Sequence, residues 1–397
     1  MSTDETGARP PGGDPHAELL AWAYLSRVIE GPSRALQSLL DAGWTARDIA
    51  AGVRTRDPAV GGLIKETAAR HRQCHPEADL EAAAAVGARL IHPGHPDWPA
   101  AELDSAFGFA ARQAGGRADA VAPHALWVRG GSPAGLCAQA VALVGTRAIS
   151  RYGAEVTGSL ARGMAGHRWT VVSGGALGVD AVAHNAALDA GGSTVVVAAC
   201  GIDVDYPRRH ARLFDRVAEN GAVVTEYPPG ATPHRHRFLT RNRLVAALSL
   251  GTVVTEAAWR SGALNTLSWA EHLGRVCMAV PGPVTTAGSV GCHERIRTRA
   301  AELVTSADDV RALVGPAGTP DSAGQYELDF GPDPVQRLDR NQLRVFDALE
   351  PGTGRRAGEI AATAGLPLPL TVHLLVDLMR AGLVRLEGEL WHRGQLP

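Results

Sequence analysis

The chain has 397 residues, enough for two or three domains, and 45% of them are hydrophobic, enough for at least one large core. Its net charge of −2 decides nothing about a nucleic-acid partner, so local clustering must. The five cysteines (Cys74, Cys137, Cys200, Cys277, Cys292) form no CxxC pair, which excludes a paired-cysteine metal site and points to reduced, mostly buried thiols; no apolar run approaches the roughly 18 residues that span a bilayer.

Residues 1–15, polar and without an apolar signal core, read as a disordered tail. From 16 to 84 the pattern is helical: "AELLAWAYLSRV" places Leu20, Tyr24 and Val28 at i, i+4 spacing, and "RALQSLLDAG" is a second helix that Gly43 can end. From 85 to 314 strands and helices alternate. "AVALVGT", "WTVVSGG", "STVVVAACG", "GAVVTEY", "GTVVTEA" and "RVCMAVPG" are strand-like, with "RYGAEVTGSLARGMAG", "VDAVAHNAALDAGG", "RNRLVAALSL" and "ALNTLSWAEHLG" as helices between them. The strands are continuous apolar runs rather than alternating ones, as expected for a parallel sheet covered on both faces. Residues 315–336, rich in Gly, Pro and acids, read as a flexible linker. Residues 337–397 read as three helices and a hairpin, "LVRLEGELWHR", the pattern of a winged helix.

In an open α/β sheet ligands gather at the carboxyl ends of the strands, and three unusual stretches fall there. In "VGTRAISRYG", Gly145 allows close backbone approach, Thr146 offers a hydroxyl and Arg147 a planar fork for phosphate oxygens, ahead of a helix N-terminus. An ordinary strand-to-helix turn with a solvated arginine explains that loop equally well. In "SGGALGVDAVAH", Ser173, Gly174, Gly175 and Gly178 suggest a loop with exposed backbone amides, yet it matches neither GxxxxGK[ST] nor GxGxxG, and Leu177 sits where a phosphate-binding lysine could have been. Asp180 and His184, four apart on one helical face, fit a cap and a partner hydrogen bond better than a catalytic pair. The third stretch, Asp205 to Arg243, carries eight arginines against four acids, and "PHRHRFLTRNR" interleaves histidines and Phe238 with them. Arginine beside an aromatic platform suits single-stranded nucleic acid; a solvated basic face is the plainer alternative, since Lys65 is the one lysine among 39 basic residues and arginine is used throughout. No HExxH, no GxSxG and no triad spacing is present, so no catalytic residue, metal or cofactor is expected.

Taken in order, "VGTR", "SGGALGVDAVAH", "ACGIDVDYPRRH", "TEYPPG", "FLTRNRLVAALS", "VVTEA", "SGALNT", "VPGPV" and "AGSVGCHERI" resemble the DNA-processing protein A (DprA, also called Smf) family, over about Val86 to Val314. The upstream "GARLIHPGHPDWP" and "ALWVRGG" resemble the family's lead-in. The resemblance implies an α/β fold, an extended Rossmann-like parallel sheet with an N-terminal helical SAM-like domain and a C-terminal winged-helix domain. It implies a homodimer, not an enzyme, that binds and protects single-stranded DNA and loads the RecA recombinase during natural transformation or homologous recombination, in the cytoplasm and without a membrane partner. Carried over by motif, Gly145, Thr146, Arg147, the Ser173–Gly178 loop, Phe238, Arg241, Asn242 and Arg243 would line the DNA pocket. The chain departs from the family at Leu177, where many relatives are basic, at His293, usually Asn, and at Arg295, usually apolar. The winged-helix segment has eight arginines to seven acids from Gln336 onward, and a third helix exposing little beyond His373, Asp377 and Arg380, which favours a partner-contact role over duplex reading. Two other readings stay open: a Rossmann-like nucleotide phosphoribohydrolase, for which "GTVVTEAAW" supplies a Glu but the PGGxGT loop is missing, and a transcription regulator using the winged helix.

Overall fold

The computed structural model describes residues 14–72, 75–113, 117–315, 335, 338–350 and 352–394. The expected tail therefore lies outside the described residues except for its last two positions, where Asp14 caps a helix, Pro15–Val28. Nearly all of the expected linker lies outside them too. The chain divides into two compact units, 1–316 and 317–397.

The first unit is built on one nine-stranded sheet. Its strands are β1 (Ala88–Ile91), β2 (Leu126–Gly130), β3 (Ala140–Gly145), β4 (Thr170–Ser173), β5 (Thr194–Val197), β6 (Ala222–Thr225), β7 (Gly251–Glu256), β8 (Val276–Ala279) and β9 (Glu302–Leu303). They are arranged β1-β2-β6-β5-β4-β3-β7-β8-β9. From β6 to β9 every neighbouring pair is parallel; β1 and β2 form an antiparallel edge. The sheet is thus mostly parallel, and the two antiparallel strands come from the lead-in motifs, whose short runs carry no clear strand period. Every residue of β4, β5, β6 and β7 is buried, which is why their centres are apolar, with Thr, Ser and Glu256 at their ends. Helices Arg151–Gly166 and Val179–Asp189 cross between parallel strands, and helices Arg235–Ala247 and Gly262–His272 flank β7 in sequence.

The N-terminal helices are not separate from this sheet. Trp22, Tyr24, Leu25 and Val28 share a single core with Trp127 of β2, Val196 of β5, Val223 of β6 and Phe214 of the helix Ala211–Asn220. The Trp127 indole donates to the Ser26 hydroxyl at 3.0 Å, fixing the first helix to the sheet. The second unit contains helices Arg340–Asp347, Ala357–Ala364 and Leu368–Arg380, and the antiparallel strands β10 (Val384–Glu387) and β11 (Leu390–Arg393), a winged helix around Phe346, Ile360, Leu375, Leu378 and Trp391. No single helix among the described residues is long and apolar enough to cross a membrane.

Candidate functional site

The chain runs β3 to β6 in one direction across the sheet and then returns to place β7 on the other side of β3. That reversal is the topological switch point, where strand-end loops part and leave a crevice. A pocket of about 210 Å³ lies there. The end of β3 contributes Val144, Gly145 and Arg147, the loop after β4 contributes Gly174 and Ala176, the Arg235–Ala247 helix contributes Phe238, Arg241 and Asn242, and the segment after β7 contributes Ser261 and Thr266.

Six of the eleven residues expected at the site line it: Gly145, Arg147, Gly174, Phe238, Arg241 and Asn242. Arg147 is exposed, with its guanidinium carbon 5.4 Å from the Phe238 ring centroid. Tyr206, 44% exposed, lies 5.5 Å from Phe238 ring to ring. An arginine and two aromatic rings therefore share one rim. Asn242 donates from its side-chain amide to Asn265 Oδ1 at 3.1 Å, tying the two helices that wall the pocket. Arg241 forms the floor. It is only 4% exposed and donates to the Gly174 carbonyl at 2.6 Å and to the Val197 carbonyl, so it braces the loop after β4 against β5.

The glycine-rich loop turns out to be filled by the chain itself. Asp180, in the first turn of the following helix, accepts from the amides of Gly174 and Ala176, each at 3.2 Å. Two of the amides expected to face a ligand thus face a carboxylate. A Cβ at Gly174 would collide with the Arg241 guanidinium, and one at Gly178, whose φ is +79°, with the Thr146 and Arg147 carbonyls. These glycines serve close approach of the chain's own groups. Burial pushes the Asp180 carboxyl up from its ordinary range, against the opposing pull of Arg241. His184 does not pair with Asp180: it is fully buried, hydrogen-bonded to Thr194 Oγ1 at 2.6 Å, and burial lowers its pKa to about 3.

The other expected residues are placed away from the pocket lining. Arg243 is fully buried and paired with the equally buried Glu226 at 2.5 Å, so it belongs to the core beneath the helix and not to a DNA-facing surface. Ser173 is buried, its hydroxyl donating to the Leu143 carbonyl at 2.6 Å. Thr146 turns its hydroxyl back to accept from the Ala148 amide at 3.2 Å, and Gly175 packs under Phe214. The helix N-terminus after β3, expected to attract a phosphate, is occupied as well: the buried Glu256 carboxylate accepts from Ser150 N at 2.9 Å and Ser150 Oγ at 3.1 Å. Glu256 is the acid that the phosphoribohydrolase reading needed, and here it anchors the turn into the Arg151–Gly166 helix.

The arginine-rich stretch divides in the same way. Arg216 pairs with Asp189, Arg237 with Glu30, and Arg241 and Arg243 are internal. Arg208, Arg209, Arg212 and Arg235 are exposed and have no acidic partner among the described residues. The site residues missed from sequence are Tyr206, Ser261 and Thr266, for which "DYPRRH" and "SGALNT" are the signals; Asp180, read from sequence as a cap, takes the loop amides of Gly174 and Ala176.

Fold and site together define a Rossmann-type α/β protein with a pocket of mixed polar and apolar lining at its switch point. A family model described as DNA recombination-mediator protein A matches residues 90–315, and one described as the IclR helix-turn-helix domain matches 341–388. The chain is 44% identical over 386 residues to a DNA processing protein DprA of Mycobacterium tuberculosis, covering 95% of this chain and 94% of that one. The X-ray structure of DNA processing protein A from Streptococcus pneumoniae superposes with a TM-score of 0.59 at 29% identity, covering 75% of this chain and 97% of that one. A structure from Helicobacter pylori, described for the single-stranded DNA binding mode of DNA processing protein A, is 30% identical with a TM-score of 0.44, over 48% of this chain and 86% of that one. The chain belongs to the DprA/Smf family of DNA-processing proteins.

Proposed function

We propose that this chain binds single-stranded DNA at the switch-point pocket, protects the strand and loads RecA onto it as a homodimer in the cytoplasm, without hydrolysing a nucleotide. The observation that carries the binding role is the rim: Arg147 over Phe238, Tyr206 beside Phe238, and a pocket of mixed lining beneath them. Phosphates need cations and exposed bases need flat apolar partners, and a single strand offers both at once while a duplex hides its bases. The unpaired Arg208, Arg209, Arg212 and Arg235 extend the positive charge along the same stretch of chain as Tyr206 and Phe238. RecA loading and dimerisation rest on family membership.

The test is anisotropy of a labelled oligonucleotide over a salt series with wild type, Arg147→Ala and Phe238→Ala. Wild type should bind with little sequence preference, more weakly as salt rises, because phosphate contacts release counterions. Both variants should bind at least about 10-fold more weakly. Binding unchanged in both would remove the pocket assignment. RecA filament formation on strands already coated by single-strand-binding protein tests the loading role separately: no stimulation by this protein would remove that role and leave binding intact.

A further inference from the structure

The strand-end loop that follows β7 holds a feature that the pocket does not absorb. Ala258 to Ser261 is a tight turn closed by a hydrogen bond from Ser261 N to the Ala258 carbonyl at 3.0 Å. Its two central residues, Trp259 and Arg260, are both exposed. The turn is held at both ends. Gly291 N donates to the Ala257 carbonyl at 2.8 Å, with Gly291 packed so closely on residues 257 and 258 that a side chain would not fit. On the other side Ser261 caps the next helix, its hydroxyl accepting from Ala263 N.

Trp259 is 56% exposed and makes no hydrogen bond, ion pair or ring contact among the described residues. Burying a tryptophan is among the largest apolar gains available to a fold, so a rigid turn that holds one outward leaves that gain to a ligand. The next residue but one, Ser261, is part of the pocket wall, and the turn springs from the carboxyl end of β7, the strand beside β3. Tyr206 and Phe238 pair on the side of the helix Arg235–Ala247, and the turn two residues before the Ser261 wall carries Trp259. Each is accompanied by an exposed arginine, Arg147 for the pair and Arg260 for the turn.

We infer that the 258–261 turn is a second nucleic-acid contact, in which Trp259 stacks on a base of the strand leaving the pocket and Arg260 contacts its backbone. The inference rests on the single-strand reading of the pocket and extends it by naming where the strand continues. A stacking contact of this kind carries no hydrogen-bond readout, so it adds affinity and not sequence preference.

The experiment uses the full chain with Trp259→Ala, Trp259→Phe and Arg147→Ala, and homopolymeric strands of roughly 4 and roughly 16 nucleotides, spanning the range of known single-strand site sizes. Trp259→Ala should weaken binding of the longer strand by about 10-fold and leave the short strand, held by the pocket, nearly unaffected; Trp259→Phe should retain most of the affinity. Of the eight tryptophans, Trp259 should account for the fluorescence quenched by the longer strand, so quenching should be lost in Trp259→Phe although binding is kept. Equal affinity of wild type and Trp259→Ala for the longer strand, with Arg147→Ala impaired, overturns the inference and spares the pocket. Failure of wild type to bind either strand instead overturns the single-strand reading itself. A shift in sedimentation for Trp259→Ala without a change in strand affinity would assign the turn to a protein contact and also overturn it.

Discussion

Removing Arg243 should damage folding and spare DNA contact, the reverse of what its place in "TRNR" suggests. The Arg243 and Glu226 side chains are 0% and 2% exposed and meet at 2.5 Å. Arg243→Ala leaves the Glu226 carboxylate buried without its cation, and breaking a buried pair in this way costs about 3–5 kcal/mol. Against a domain stability of about 5–15 kcal/mol that is about a fifth or more of the total, and it corresponds to a melting-temperature loss on the order of 10 °C. The defect should depend on pH with a definite sign. Burial already raises the Glu226 carboxyl above its ordinary value of 4.5, with Arg243 pulling the other way. Losing Arg243 removes that pull and raises it further. A carboxyl whose pKa is raised on folding carries a penalty that is absent below its unfolded pKa and grows as pH rises through the folded one. The loss in Arg243→Ala should therefore shrink on acidification. Arg243→Met combined with Glu226→Leu should recover most of it, since a well-packed apolar pair often matches a buried ion pair. Thermal and urea melts of the full chain across pH provide the assay, with strand binding measured below the transition. An Arg243→Ala protein that melts like wild type yet loses strand affinity would refute the reasoning and return Arg243 to the DNA surface.

Arg147→Ala should behave oppositely, melting like wild type while its salt dependence of binding falls by about one unit of slope per lost phosphate contact. Leu177→Arg should tighten strand binding, by about 3-fold or more at low salt, because neighbouring Ala176 lines the pocket and a cation there meets phosphate; unchanged affinity would place position 177 away from the strand. Asp180→Asn removes a carboxylate whose pKa burial has raised, so its melting temperature relative to wild type should be higher at about pH 8 than at about pH 4.5. Incubation with nucleoside monophosphates should release no free base; release that Glu256→Gln abolishes would favour the phosphoribohydrolase reading instead.

The parts of the fold that were legible are those where one physical requirement acts on consecutive residues. A strand buried on both faces must be apolar throughout, so β3 to β8 announce themselves as "VALV", "TVV" or "VVV". The antiparallel strands β1 and β2 face mixed surroundings, and "ARLI" and "LWVRG" carry no comparable mark. The site was less legible because helices scatter neighbours. Successive residues on a helix point about 100° apart, so Arg241, Asn242 and Arg243 could never form one patch. The structure sends Arg241 to the pocket floor, Asn242 to the pocket wall and Arg243 to Glu226. Both arginines are withdrawn from solvent, and the place of Arg243 depends on an acid 17 positions earlier, which no local pattern encodes. Tyr206 and Phe238 are equally remote in sequence, and their rim exists only once a loop and a helix are brought together.

The internal carboxylates bear on how a strand can lie in this site. A nucleotide-binding loop ordinarily offers its amides and its helix dipole to phosphate. Here the helices that follow β3 and β4 each have a carboxylate of the chain's own at their start, Glu256 at the first and Asp180 at the second. A phosphate placed there would meet a carboxylate at short range in a poorly screened setting, where like charges repel strongly. The favourable position for phosphate is therefore out at the rim, by Arg147, while Phe238, Ser261 and Thr266 line the pocket beside it. A polymer with its phosphates at the rim must turn its bases toward the pocket, and bases are free to do so only when they are not paired. On the proposed function, a preference for single strands would follow from where the chain has placed its acids as much as from where it has placed its arginines.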